Sequence, residues 1–305
     1  MRQITTSAPG SIMITGEHAV VYGHRAIVAA VDQRITVALR QRMDRRISIT
    51  SQIAERFETT LDNLAPSHDY RFVVACIRAH LDALDYGFDL TITSEVDPTL
   101  GLGSSAAVTI ATLGALTALT CADTSGIHQT AVSIIRDIQG RGSGADLAAS
   151  LSGGMISYRA PTDTTATEIA KLPAPTELAL KYAGYKTPTA EVLRLIAERM
   201  AGNEQAFADL YAAMGAEAEA AINSAQSKDW TAFATSLTQY QQLLEQLGVS
   251  DDTLDRIIAE AQADTHVQAV KISGSGLGDC VVAIGAVPEG FTSAKLAAKG
   301  LTINE

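Results

Sequence analysis

Apolar and polar residues alternate in several short runs along the first third of the chain. Ile12 and Ile14, then Ile35, Val37 and Leu39, then Ile47 and Ile49 recur at every second position, the period of a half-buried strand. From residue 70 to 84 the period lengthens: Val73, Cys76, Ile77, His80, Leu81 and Leu84 share one face of a predicted helix. Phe88, Leu90 and Ile92 return to alternation and predict a strand ending at Glu95. The segment DPTLGLGSSAA then passes from loop residues into an alanine-rich helix expected to open at Ser104–Ser105. A further helix is predicted over 126–138, followed by the loop QGRGSGAD and an apolar segment over 146–158.

Across residues 160–176 the pattern dissolves into APTDTTATEIAKLPAPT, and this Pro/Thr-rich stretch predicts the divide between a first domain, 1–160, and a second, 161–305. Beyond it come a strand over 178–182, a long helical region over 190–263, and strands over 267–273 and 280–284 split by GSGLGD. No internal repeat is visible. The order of elements predicts an α+β chain of two domains.

Composition narrows the function classes. With 305 residues, 47% of them hydrophobic and only 19% charged, the chain can bury a core without disulfides or metals. Aromatic residues make up 5% and there is one Trp, which argues against a stacking platform for single-stranded nucleic acid. The balance of 23 basic against 34 acidic residues gives −11, the wrong sign for a general polyanion binder. A small anion such as ATP is not excluded, because backbone N–H groups hold anions without entering a charge count. Cys76, Cys121 and Cys280 are far apart and form no C-x-x-C pair, so they read as buried free thiols of a reducing compartment. The opening MRQITTSAPG lacks the apolar run of a signal peptide. The longest apolar stretch, 106–122, is broken by Thr109, Thr112, Thr117 and Thr120, as in a buried helix rather than a membrane span. A cytoplasmic protein with no membrane and no nucleic-acid partner is expected.

Glycine gathers in four places, and each carries candidate chemistry. LGLGSSAA lies between a predicted strand and a predicted helix, so unpaired N–H groups and the positive helix end face whatever sits before Ser104. Gly101 and Gly103 remove Cβ atoms that would block close approach; an ordinary N-cap by Ser104 or Ser105 accounts for the segment about as well. No G-x-x-x-x-G-K-[ST] run occurs, which excludes a P-loop ATPase. The dinucleotide pattern G-x-G-x-x-A does fit Gly101, Gly103 and Ala106, but the acid it requires, Asp123, follows continuing helix instead of a second strand. In GRGSGADLAASLSGG, Asp146 is an isolated acid among Ala, Leu, Ser and Gly, suited to a general base or equally to capping the next helix. In APGSIMITGEHAVVYG, Glu17 and His18 stand side by side, able to bind a polar substrate or to satisfy one another; the zinc pattern H-E-x-x-H is absent.

Taken together, these clusters resemble the three ordered motifs of the GHMP kinases, the superfamily of galactokinase, homoserine kinase, mevalonate kinase and phosphomevalonate kinase. APGSIMITGEHAVVYG is similar to motif one, DPTLGLGSSAAV to the ATP-binding motif two, KISGSGLGDCVVAIG to motif three, and SGADLAASLSGG to the stretch with the catalytic Asp. The form GEHAVVYG is most similar to mevalonate kinases. The resemblance implies a ribosomal-protein-S5-type first domain, a ferredoxin-like second domain, and a site between them. It implies transfer of a phosphoryl group from ATP, with Mg²⁺, to the C5 hydroxyl of mevalonate. Asp146 would be the base or orienter. Leu100, Gly101, Leu102, Gly103, Ser104, Ser105, Ala106 and Arg141 would hold the phosphates, and Ser105 would ligate the metal. Glu17, His18, Gly274, Ser275 and Lys186 would lie at the substrate, and a homodimer is compatible with the family.

Two positions depart from that pattern. Ser11 stands where mevalonate kinases carry a lysine, and Arg141 or Lys186 would have to supply the cation. Ile135 occupies the position of the second metal-binding acid, with Asp137 the nearest carboxylate. QGRGSGAD and the GDC ending of motif three are closer to phosphomevalonate kinases, which keeps that enzyme, a sugar kinase and a catalytically silent nucleotide binder as alternatives.

Overall fold

The computed structural model describes residues 1–96, 101–162 and 165–304. The first part of the chain runs β1 (Gln3–Thr15), β2 (Ala26–Gln41), β3 (Arg46–Ser51), β4 (Phe57–Thr60), α1 (Arg71–Ala79), β5 (Phe88–Ser94), α2 (Ser104–Leu119), α3 (Ile127–Gln139), α4 (Ala145–Ser152), β6 (Met155–Arg159) and β7 (Glu168–Leu172). The rest runs β8 (Leu178–Lys186), α5 (Thr189–Met200), α6 (Glu204–Ser227), α7 (Trp230–Leu247), α8 (Asp252–Gln262), β9 (Ala269–Ser273), β10 (Gly278–Ile284), β11 (Thr292–Ser293) and β12 (Thr302–Asn304).

The larger sheet has the order β12-β1-β2-β5-β3-β4, with β6 and β7 continuing from the other half of β2. Among the described residues only β3 and β5 pair in parallel; α1 lies in the connection between them. The smaller sheet, β11-β8-β10-β9, is antiparallel throughout. One core cluster, including Ile4, Val37, Ile49, Phe88 and Leu113, lies between the larger sheet and its helices. A second, including Leu244, Leu247, Ile257, Val270 and Val281, joins the smaller sheet to the long helices. Helix α2 is apolar all round because it is buried almost throughout. Thr109 satisfies its hydroxyl on the Ser105 carbonyl one turn back at 2.7 Å, which lets a threonine sit inside such a helix.

The differences from the predicted elements have local causes. The helix expected over 70–84 stops at Ala79, where the His80 N–H bonds the carbonyl three residues back and a 3₁₀ turn, Leu81–Ala83, follows. The region 190–263 is four helices, divided at Gly202, at Asp229, which caps α7, and at Gly248–Asp251, where Asp251 caps α8. β1 is far longer than its alternating residues because both of its faces are buried in the middle. β7 shows no alternation, being exposed except at Leu172, and it hydrogen-bonds β6 of the larger sheet. β12 likewise returns to β1, so residues 168–172 and 302–304 both join the first sheet. Cys76 and Cys280 are buried, but Cys121 is exposed, which corrects the expectation that all are buried. Among the described residues, no helix is long and apolar enough to cross a membrane.

Candidate active site

The glycine turn before α2 is built by contacts from two other motifs. Gly103, at φ +62°, is the N-cap of α2, and no side chain caps it. Ser104 and Ser105 are therefore the first helical residues, which sets aside the ordinary serine cap and leaves the helix N–H groups turned outward. A Cβ on Gly103 would lie 2.2 Å from Ser11 Oγ, and one on Gly101 would lie 1.9 Å from Asp279 Oδ1. Glycine is needed at both places so that β1 and motif three can press against the turn. The Ser11 N–H also donates to the Leu102 carbonyl at 3.0 Å, pinning the turn to β1 beside the register shift at Pro9/Gly10.

Asp146 lies in the first turn of α4, whose N-cap is Gly144. Instead of capping, its Oδ1 accepts a 2.8 Å hydrogen bond from Ser11 Oγ. Burial raises its pKa; the Ser11 bond and the Lys186 charge oppose that rise. The preceding loop is held from three sides. Arg136 Nε donates to the Gly142 carbonyl at 3.0 Å, Tyr158 Oη to Ser143 at 2.6 Å and His128 Nε2 to Gly144 at 3.0 Å. Ile135 is buried beneath it, where a Cβ on Gly142 would lie 2.9 Å from its side chain, and Asp137 is exposed on α3.

Glu17 and His18 follow β1 and are gripped by the second half of the chain. Lys271, fully buried on β9, donates to Glu17 Oε1 at 2.5 Å, and its ammonium lies 5.6 Å from the Tyr240 ring centroid. Tyr240 Oη donates to the Glu17 carbonyl at 2.7 Å. His18 has φ +60°, an unusual conformation for a residue with a Cβ, and its Nε2–H donates to the Ser275 carbonyl at 3.0 Å. Burial lowers the His18 pKa to about 4, assisted by the Lys271 charge, so the ring is neutral near pH 7.

Motif three adds the last wall. Lys186, at the end of β8, donates to Asp279 Oδ2 at 2.7 Å. Burial raises the Asp279 pKa; Lys186 opposes this and Asp146 adds to it, which places both acids in one electrostatic neighbourhood.

These pieces enclose a cleft of about 540 Å³, lined by Glu17, His18, Gly101, Gly103, Ser104, Ser105, Arg141, Asp146, Lys186, Gly274 and Ser275 together with Ser11 and Asp279. Leu102 and Ala106 are buried behind the lining, so Leu102 contributes its carbonyl to the turn and its side chain to the core. Leu100 lies outside the described residues. Three buried polar atoms among the lining residues lack a protein partner: Glu17 Oε2, Ser275 Oγ and Asp279 Oδ1. Buried polar groups are normally paired, so their concentration here marks acceptors and donors kept for a ligand. A second, more apolar cavity of about 350 Å³, lined by Ile35, Ile53, Tyr70, Phe72 and Val108, shares Ser104, Ser105 and Gln139 with the cleft.

The family model for the GHMP kinases N terminal domain matches residues 71–154, and that for GHMP kinases C terminal matches residues 218–299. A mevalonate kinase from Archaeoglobus fulgidus is 33% identical, over 98% of this chain and 99% of its own. The chain is a GHMP kinase. Another relative of this kinase, a mevalonate kinase from Pyrococcus furiosus, is 29% identical over 92% of this chain and 89% of its own. In fold, the GHMP kinase is similar to the crystal structure of a Lin0012 protein from Listeria innocua, with a TM-score of 0.87 at 20% identity and full coverage of both chains.

Sequence reasoning did not single out Lys271, Tyr240 or the Asp279 carboxylate. Asp279 entered the sequence reading only as part of the GDC ending of motif three. Lys271 sits between apolar neighbours in a strand, AVKIS, with nothing local to announce a buried cation. The one signal was a charged residue inside a fully buried run, since such a lysine must have a partner.

Proposed function

We propose that this GHMP kinase transfers the γ-phosphoryl group of ATP to the C5 hydroxyl of mevalonate. The observation that carries the reading is the shared cleft: an uncapped helix N-terminus, an isolated acid and three orphaned hydrogen-bonding atoms open onto one space. The apolar cavity joined to it at Ser104, Ser105 and Gln139 takes the nucleoside, and the N–H groups of residues 103–106 take the phosphates. The open helix end and the serine hydroxyls suit a metal–nucleotide complex, with Ser105 Oγ as a ligand. Bound there, Mg²⁺ would neutralise charge on the β- and γ-phosphates.

At the other end, Glu17 Oε2 and Ser275 Oγ orient the acceptor, and neutral His18 presents an uncharged wall. Asp146 takes the proton of the attacking hydroxyl as the new O–P bond forms and the bond to the β-phosphate bridging oxygen breaks, releasing ADP. Ser11 fixes Asp146 so that one carboxylate oxygen remains for that proton. Phosphoryl transfer passes through a loose transition state, so alignment and charge neutralisation carry most of the catalysis. Among the described residues, Arg141 and Lys186 are the cations that line the cleft, Lys186 already paired with Asp279, while Lys271 is committed to Glu17. A phosphorylated acceptor would need more positive charge than that, and Arg25 is engaged with Glu168 and Glu219. That supports mevalonate over phosphomevalonate.

ADP release measured across mevalonate, phosphomevalonate, galactose and homoserine tests the proposal. Mevalonate is expected to give the highest kcat/KM; a higher value for any other acceptor overturns the substrate assignment.

A further inference from the structure

Asp279 has no part in the reaction outlined above, yet it is an acid set deep in the wall of the cleft. It is 5% exposed, its Oδ2 accepts from Lys186 Nζ at 2.7 Å, and its Oδ1 is buried without a partner. That free oxygen lies against Gly101, 1.9 Å from where a Cβ would be, on the lip of the turn that receives phosphate. The backbone that holds it is unusual: Asp279 has φ +68° although it carries a side chain. A conformation of that kind persists only where the surroundings enforce it.

Charge makes the placement informative. Among the described residues that line the cleft, Arg141 and Lys186 are the lysine and arginine cations, and Asp146 and Asp279, the latter paired with Lys186, offset them. A polyphosphate seated beside two carboxylates would meet no net positive charge from these groups. A divalent cation resolves the conflict, and Mg²⁺ is commonly held by one or two carboxylates plus substrate phosphates. No group of three or more His, Cys, Asp or Glu residues is ready to hold a metal among the described residues, which fits an ion that arrives with the nucleotide. The position where the family resemblance predicts a second metal-binding acid is closed: Ile135 is buried under Gly142, and Asp137 is exposed on α3.

We propose that Asp279 is a ligand of the nucleotide-borne divalent cation, with Oδ2 anchored by Lys186 and Oδ1 given to the metal. Ser105 Oγ supplies the other protein oxygen, so the two ligands come from different glycine loops and the metal ties motif two to motif three. The assignment rests on the reading of this cleft as an ATP site.

The test measures Mn²⁺ binding to the enzyme saturated with the non-hydrolysable analogue AMPPNP, by electron paramagnetic resonance of free Mn²⁺. Asp279→Asn is expected to weaken Mn²⁺ in the ternary complex by about tenfold or more, while metal-free AMPPNP binding changes much less. Lys186→Met, which removes the anchor but leaves the carboxylate in place, is expected to weaken Mn²⁺ clearly less than Asp279→Asn does. Unchanged Mn²⁺ affinity in Asp279→Asn overturns the assignment, and so does an equal loss in Lys186→Met, which would make Asp279 only an anchor for the lysine. Asp279→Cys provides a gain of function that misfolding cannot imitate: a thiolate ligand favours soft cations, so Cd²⁺ should bind its AMPPNP complex about tenfold more tightly than that of the wild type. No such gain, in a variant with a wild-type melting profile, also overturns it. Failure of AMPPNP to bind the wild-type enzyme would sink the ATP reading itself, a result distinct from nucleotide binding with an indifferent Asp279.

Discussion

The two ends of the cleft are built on opposite plans. At the end proposed for phosphate, backbone would do most of the binding: the cleft there meets a bare helix terminus, glycines pressed by neighbours, and carboxylates that reach in from α4 and motif three. At the acceptor end, side chains are locked in advance by groups from the other half of the chain, with Lys271, Tyr240 and Ser275 fixing Glu17 and His18. A phosphate chain is the same in every nucleotide and can be met by repeating N–H groups. An acceptor alcohol must be told from many others, which requires directional groups held rigidly in low dielectric. Perturbing the first end should therefore change turnover and nucleotide use, whereas perturbing the second should unsettle the fold as well.

The largest effect is expected from Asp146→Asn, which keeps the shape of the phosphate end and removes its base. A positioned base contributes about 10²–10⁴-fold, so kcat should fall by that range while AMPPNP affinity holds. A kcat within a few-fold of wild type would remove Asp146 from the mechanism. Next comes Lys271→Met at the opposite end, which leaves the buried Glu17 carboxyl without its partner. Breaking a buried pair in this way costs about 3–5 kcal/mol, read as a lower denaturation midpoint. The double variant Lys271→Met with Glu17→Gln should recover much of that stability without recovering the acceptor KM. If Lys271→Met were as stable as wild type, the contrast between the two ends would collapse.

Ser11→Ala probes how the phosphate end tunes its base. The 2.8 Å bond from Ser11 stabilises the charged form of Asp146 and opposes the effect of burial. The base works when ionised, so kcat rises with pH through a pKa lying above the ordinary carboxylate value. Removing the hydroxyl raises that pKa further and moves the acid limb of the kcat profile to higher pH. Losing the orienting bond itself should cost about tenfold in kcat at neutral pH. A limb that moved to lower pH would show that Ser11 does not act through the carboxylate.

The contrast also explains what could be read from residues alone. The glycine turn, Ser104–Ser105 and Asp146 stood out in the sequence, and the structure brings them to one cleft, because a turn of consecutive backbone leaves a local signature. The second domain's grip on Glu17 was not, since Lys271 lies 254 residues further along the chain and nothing in AVKIS points back to motif one. The same reason separates the strands that were found from those that were not. β5 alternates between core and solvent, whereas β7 and β12 are edge strands whose membership depends on the neighbour they pair with. Ser11 was seen only as a missing lysine. Its tertiary role, as donor to Asp146, became visible once β1 and α4 were placed side by side.

The smallest effect should come from Arg141→Ala, and it sharpens the comparison because it tests the phosphate end without touching its framework. Arg141 is exposed on the loop before Asp146, and the three bonds that hold that loop come from Arg136, Tyr158 and His128, none of which depends on it. Its charge is screened by water, and exposed ion pairs are worth about 0–1 kcal/mol, so the KM for ATP should rise by no more than about fivefold. The KM for the acceptor should not change, because Glu17, His18 and Ser275 are tied to the other half of the chain. The rise should shrink as salt is added, since screening already weakens the wild-type contact. A salt-independent loss, or an equal change in both KM values, would mean that the two ends share their cation and are not built separately.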